Sequence, residues 1–65
     1  MTGRVVAFDG HRGLGEVVAA DGTRYQFHCT QIADGTRTID VGADVDFEVA
    51  PGRPGHWEAI AISRR

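Results

Sequence analysis

Residues 12–28 of the chain, RGLGEVVAADGTRYQFH, contain the pattern that decides the fold. Two segments rich in β-branched and aromatic residues, 15–19 and 24–28, stand on either side of Asp21 and Gly22. An Asp-Gly pair between two such segments is a strong signal for a tight turn between antiparallel strands. The sequence therefore predicts a β-hairpin at this point.

The register of this hairpin follows from the polarity of its two faces. A two-residue turn would place Glu16 opposite Phe27, which mixes polar and apolar side chains on both faces. A three-residue loop, with Gly22 in the left-handed conformation, places Glu16 opposite Gln26 and separates the faces. The predicted inward side chains are Val17, Ala19, Tyr25 and Phe27, and the predicted outward side chains are Leu14, Glu16, Gln26 and His28.

Three further strands are predicted in the rest of the chain, at 4–8, 44–49 and 57–62. The segment 44–49 alternates charged and apolar residues, which is typical of a strand with one buried face. Glycines and prolines separate the strands, as in the turn 51–55, and helix is restricted to a short turn near 30–32. Five short strands are too few for a two-sheet sandwich but fit a small curved barrel. We therefore predict an all-β, five-stranded antiparallel OB-like barrel that forms one domain over residues 1–65.

The predicted core consists of apolar side chains on the inward faces: Val5, Val17, Tyr25, Phe27, Ile32, Val45, Phe47, Val49 and Ile60. Ile39 and Val41 are predicted to cover one end of the barrel. With Ile60 inward, the period of a strand places Trp57 on the opposite face. An exposed Trp is often the anchor of an interface, and the alternative is that Trp57 covers the barrel end.

Composition narrows the range of functions. The formal net charge is −2, with arginines and no lysines as the cations, which is unlike a protein that coats phosphates. The single Cys excludes an internal disulfide and the zinc sites that need two or more cysteines. No apolar run approaches the roughly 18 residues of a membrane span, and no signal-peptide core follows Met1, so we expect a cytoplasmic protein without membrane contact. A barrel this small offers no enclosed pocket, so we expect no enzyme, no cofactor and no small-molecule substrate. A metal site could be formed by His11, His28, Cys29 and His56, but no pair of them has the short ligand spacing of a zinc finger, so we expect no metal.

The order of these features resembles the cold-shock domain family, five-stranded OB-type barrels that bind single-stranded nucleic acid, as in small bacterial cold-shock proteins. Residues 12–17, RGLGEV, are similar to the family's first nucleic-acid motif, K-G-F-G-F-I. Residues 25–29, YQFHC, are similar to its second motif, V-F-V-H-F. The segments 3–8, 30–32 and 42–49 are similar to the opening strand, the turn after the second motif and the fourth strand. The resemblance covers nearly the whole chain and implies the fold predicted above.

The outward face departs from that family, whose members stack bases on aromatic rings of the second and third strands. Other residues occupy the aromatic positions here, Ala7, Leu14, Glu16, Gln26, Cys29 and Thr36, and Val6 occupies a lysine position. Phe8 and His28 are the rings that remain on that surface. Each stacked base contributes roughly 1–3 kcal/mol, and about 1.4 kcal/mol is a factor of ten in affinity. The resemblance therefore implies weak binding, and Glu16 adds a carboxylate where phosphates and base edges would approach.

Two functions remain open at this point. In the first, the protein binds single-stranded RNA or DNA weakly through Arg4, Phe8, Arg12, Leu14, Gln26 and His28, with further contacts from Arg24, Arg37, His11, His56 or Trp57. In the second, an apolar patch binds a protein partner or a second copy of the chain; its members are Val6, Ala7, Phe8 and Leu14, with Trp57 in the patch or as a separate anchor. Strong salt dependence would favour the first function. Dimerisation that is insensitive to salt and is lost on Leu14→Asp would favour the second.

Overall fold

The computed structural model describes residues 1–52 and 54–65. In this part of the chain five strands close into a barrel: β1 (Thr2–Asp9), β2 (Leu14–Ala19), β3 (Arg24–His28), β4 (Asp44–Pro51) and β5 (Trp57–Arg64). A short 3-10 helix, Cys29–Gln31, follows β3, where the sequence predicts a turn. The predicted all-β, OB-like barrel is confirmed. The predicted turn 51–55 includes Arg53, which lies outside the described residues. The described part of the chain contains no helix long and apolar enough to cross a membrane.

The strands follow the order β1-β2-β3-β5-β4 around the barrel, and β4 closes it by pairing with β1. Neighbouring strands are antiparallel except at the contact of β3 with β5, which is parallel and centred on Gln26 and Glu58. The strands β1, β2 and β3 form an antiparallel meander. That meander carries most of the residues predicted to bind a ligand.

The predicted hairpin register is confirmed. Glu16 lies opposite Gln26, and Gly22 has a φ of 88°, in the left-handed region that favours glycine. The carboxylate of Asp21 accepts a hydrogen bond from the backbone N–H of Thr23 at 2.9 Å, which lowers the pKa of Asp21. The Asp-Gly pair therefore closes the loop through both its backbone and its side chain.

The core is a cluster of buried apolar side chains: Val5, Val17, Ala19, Phe27, Ile32, Ile39, Val45, Phe47, Ala59 and Ile62. The predicted core residues Tyr25 and Val49 are half-buried and pack against this cluster. The prediction that Ile60 points inward is wrong, because Ala59 and Ile62 supply the buried side chains of β5. The prediction for Val41 is also wrong, because its side chain is 62% exposed.

A β-bulge explains the error on β5. Asp46 pairs with Ser63, whereas Glu48 pairs with Ile60, so two residues of β5 oppose one residue of β4. Ala61, inside the bulge, has a φ of 51°. The two-residue period of the strand breaks at this point, and the buried positions of β5 lie three residues apart. A strict alternation therefore assigns the wrong residue to the core.

Candidate nucleic-acid interface

The outward face of β1, β2 and β3 presents side chains in three rows that cross the strands. The basic row consists of Arg4, Val18 and Arg24, the central row of Ala7, Glu16 and Gln26, and the loop row of Asp9, Leu14 and His28. The members of these rows are exposed or half-buried. The predicted outward residues of the hairpin are thus confirmed as one continuous surface.

A second β-bulge, at Val6, shapes this surface. Val5 pairs with Val17, whereas Ala7 pairs with Glu16, so Val6 is an extra residue in β1 without a partner in β2. After the bulge the alternation of β1 is shifted by one position. The side chain of Phe8 therefore points inward, in a row with Gly15 and Phe27, and not onto the outward face.

Phe8 packs against the core through the ring of Phe27. The two ring centroids are 6.2 Å apart, and the ring planes differ by only 12°. Gly15 lies between them in the pairing register, and a Cβ atom at this buried glycine would collide with the Phe27 ring. The missing side chain lets the two rings meet across β2. Phe8 thereby packs against the core while the residue as a whole stays half-buried.

An open groove of about 330 Å³ lies beside Phe8. Its walls are formed by Ala7, Phe8, Asp9, Arg12, Leu14, Gly15, Glu16 and Gln26. Four of the six residues predicted to bind nucleic acid are therefore brought together: Phe8, Arg12, Leu14 and Gln26. Glu16, which the sequence presents as an obstacle to binding, lines the same groove.

His28 lies at the end of the loop row, directly opposite Leu14. Its Nδ1 atom accepts a hydrogen bond from the backbone N–H of Thr30 at 3.3 Å, so the side chain caps the 3-10 helix. The ring is exposed but anchored on one side. In residues 1–52 and 54–65, no three His, Cys, Asp or Glu side chains are grouped as they would be around a metal ion.

Carboxylates neutralise two of the predicted cationic contacts. Nε of Arg4 lies 3.3 Å from Oδ1 of Asp44, and Nη1 of Arg24 lies 2.6 Å from Oε1 of Glu16. The arginines come from the basic row, and their partners come from β4 and from the central row. The sequence does not reveal the first pair, because its members are 40 residues apart.

Arg12 differs from these arginines because it belongs to the loop between β1 and β2. Oδ1 of Asp9 accepts hydrogen bonds from the backbone N–H groups of His11 and Arg12, at 3.0 and 3.3 Å. Asp9 thus shapes the loop that carries Arg12 to the groove. Within the described residues, the Arg12 guanidinium forms no ion pair.

The residues of the predicted apolar patch are separated. Ala7, Phe8 and Leu14 line the groove described above, whereas Val6 and Arg4 line a second open groove of about 420 Å³ along β1, β2 and β4. Trp57 is 57% exposed at the start of β5, where it pairs with Pro51, and it lines neither groove. Because of the bulge at Val6, the side chain of Val6 lies apart from those of Ala7, Phe8 and Leu14.

Comparison with known proteins agrees with this geometry. The family model described as 'Cold-shock' DNA-binding domain matches residues 1–64 of the chain. Among solved structures, drosophila Unr CSD456 matches with a TM-score of 0.82 and 26% sequence identity, over 98% of this chain. The chain spans 26% of the length of that structure. Since the family model matches nearly every residue, the chain belongs to the cold-shock DNA-binding domain family.

Proposed function

We propose that the protein binds single-stranded nucleic acid weakly, without catalysis, in the groove between the central row and the loop row. The observation that carries this proposal is the convergence of Phe8, Arg12, Leu14 and Gln26 on that one groove. Together they offer a ring, a cation, an apolar contact and an amide. These are the types of group that hold a single strand without enclosing it.

The weakness follows from the number of stacking platforms. Phe8 is held against Phe27, so a base that stacks on its accessible part meets a preorganised ring. His28 is a second ring, and its cap to Thr30 limits its rotation. Each such platform contributes roughly 1–3 kcal/mol. The central row adds no third ring, and micromolar or weaker affinity is expected.

Electrostatic attraction is also limited. Arg12 is the arginine in the groove lining, and the described residues hold no carboxylate in an ion pair with it. For single strands, the logarithm of the binding constant falls with the logarithm of salt concentration by about 0.7 per phosphate contact. One contact therefore predicts a loss of about fivefold for a tenfold increase in salt.

A titration of isotope-labelled protein with a short oligo-dT and a short oligo-U at low salt tests the proposal. We expect chemical-shift changes at Phe8, Leu14, Gln26 and His28, and weaker binding in Arg12→Gln. Arg65→Gln is the matched control, because it removes the same charge from the chain terminus, 3.6 Å from Asp46. No shift change up to high micromolar concentrations, or equal effects of the two variants, would contradict the proposal.

A further inference from the structure

We infer that Glu16 selects the base that enters the groove, and that the selected base is guanine rather than thymine or uracil. This inference rests on the proposed function, because it concerns the specificity of the same groove. Glu16 then contacts the base directly, in addition to repelling the phosphates of the strand. The role follows from the position of Glu16, from its ion pair and from the chemistry of base edges.

Glu16 occupies the middle of the central row, between Ala7 and Gln26. Its side chain is 30% exposed and forms part of the groove wall. Arg24 holds Oε1 of the carboxylate at 2.6 Å. This pair orients the carboxylate and balances its charge, which limits its repulsion of a nearby phosphate. Arg24 is therefore a positioning residue for Glu16.

The ion pair leaves most of the acceptor capacity of Glu16 for a ligand. An ionised carboxylate has two oxygens with about four acceptor sites. A single bond to Arg24 uses one of them. The remaining sites suit a ligand that offers two parallel N–H donors, because paired donors match the two oxygens of a carboxylate.

Guanine is the base that offers this pair of donors. Its N1–H and its exocyclic N2 amino group point in the same direction along the Watson–Crick edge. Thymine and uracil offer one N–H between two carbonyl oxygens, and both oxygens repel a carboxylate. Cytosine and adenine offer an amino group beside an acceptor nitrogen, and a single bond from an amino group to Glu is known in base recognition. The expected order is guanine first, cytosine and adenine next, and thymine or uracil last.

Phe8 and Gln26 support this form of recognition. Phe8 provides a fixed ring at the side of the groove, and Gln26 lies directly across from Glu16 with an amide that can donate or accept. Stacking tolerates every base because every base has a π-face. Hydrogen bonds to a base edge differ from base to base. A groove with a carboxylate and an amide in its wall is therefore base-selective.

The test uses three oligonucleotides of about seven nucleotides, within the site size of an OB-fold. The first is oligo-dT, the second has a central deoxyguanosine, and the third has a central deoxyinosine, which lacks the 2-amino group. We expect the guanine oligonucleotide to bind at least about fivefold more tightly than oligo-dT, the lower limit for a bidentate base contact. The inosine oligonucleotide is expected to lie between them.

Glu16→Gln is expected to abolish the guanine preference, while it tightens binding of oligo-dT because a negative charge is removed. Glu48→Gln is the matched control, since Glu48 is exposed on β4 and does not line the groove. It should keep the preference of the wild type. Arg24→Gln should reduce the preference, because the carboxylate loses its orienting partner.

Three results would overturn the inference. Equal affinity of the wild type for the three oligonucleotides would overturn it while leaving the proposed function intact. A guanine preference that persists in Glu16→Gln would show that another group reads the base. No binding of any oligonucleotide would overturn the proposed function itself, and this inference with it.

Discussion

The two sides of the β1–β2–β3 meander differ in what they require of the sequence. The inward rows are tightly packed: one holds Val5, Val17 and Tyr25, and the other holds the rings of Phe8 and Phe27 with Gly15 between them. The outward central row holds a small residue, a carboxylate and an amide, Ala7, Glu16 and Gln26. Successive residues of a strand point to opposite faces, so the two sides can change independently. The same strands therefore present tightly packed side chains on one side and polar or small side chains on the other.

The largest effect is expected from the inward side. Phe27→Ala removes a fully buried ring that contacts Phe8, and such a change costs about 3–5 kcal/mol of unfolding free energy. Because a domain of 65 residues has a total stability of about 3–10 kcal/mol, the variant should lose a large fraction of it and unfold at a much lower urea concentration. Urea unfolding followed by circular dichroism measures this loss. Gln26→Ala, one position away on the outward side, should change stability by at most about 0.5 kcal/mol. Similar losses in both variants would refute the distinction between the two sides.

Gly15→Ala should cause the next largest loss of stability. The new Cβ atom would meet the ring of Phe27 and force it away from Phe8, at a cost of about 1–3 kcal/mol. The matched control is Gly10→Ala, because a Cβ atom there would lie 3.9 Å from Phe8, an ordinary contact. Thermal unfolding of the two variants compares them directly. A Gly15→Ala protein as stable as Gly10→Ala would show that the row of Phe8, Gly15 and Phe27 can accommodate a Cβ atom at position 15.

The outward side should accept an aromatic residue and respond in binding rather than in stability. Glu16→Phe adds a ring beside Phe8 and removes a negative charge, so oligo-dT should bind at least about fivefold more tightly, from a stacking contribution of roughly 1–3 kcal/mol. Glu48→Phe is the control, since it changes the same residue type on β4. Fluorescence anisotropy at constant salt measures both affinities. Equal gains in the two variants would place the binding surface elsewhere.

The smallest effect is expected from surface carboxylates far from the groove. The backbone N–H and hydroxyl of Thr36, together with Arg64, hold the pKa of Asp34 below its usual value of 3.8. A lowered folded-state pKa adds stability above the usual value, and that stability is lost as pH falls through the folded-state pKa. Asp34→Asn should therefore slightly flatten the acid limb of a plot of melting temperature against pH. Asp40→Asn, another exposed carboxylate in the segment before β4, is the control. An acid limb identical to that of the wild type would show that the contacts of Asp34 with Thr36 and Arg64 add no measurable stability.

Much of the hairpin could be predicted because its signals are local. The Asp21-Gly22 pair and the polarity of the two flanking segments select one register, and the structure has that register. The same reasoning located Leu14 and Gln26 on the outward face. The bulges at Val6 and Ala61 could not be predicted in this way, because a bulge accommodates the closure of the barrel and leaves no pattern among its immediate neighbours. The two bulges account for the wrong prediction that Ile60 points inward and for the separation of Val6 from the predicted apolar patch.

The sequence by itself determined the strands and the hairpin register, because alternation and turn chemistry act over a few residues. Tertiary structure alone decided which groups share a groove. It stacked Phe8 on Phe27, paired Arg24 with Glu16 and set Arg4 against Asp44. The Phe8–Phe27 contact depends on the bulge at Val6, the Arg4–Asp44 pair joins residues 40 positions apart, and the Arg24–Glu16 pair joins the two strands of the hairpin. The Arg4–Asp44 pair forms only when the barrel closes, because β1 and β4 meet at that closure.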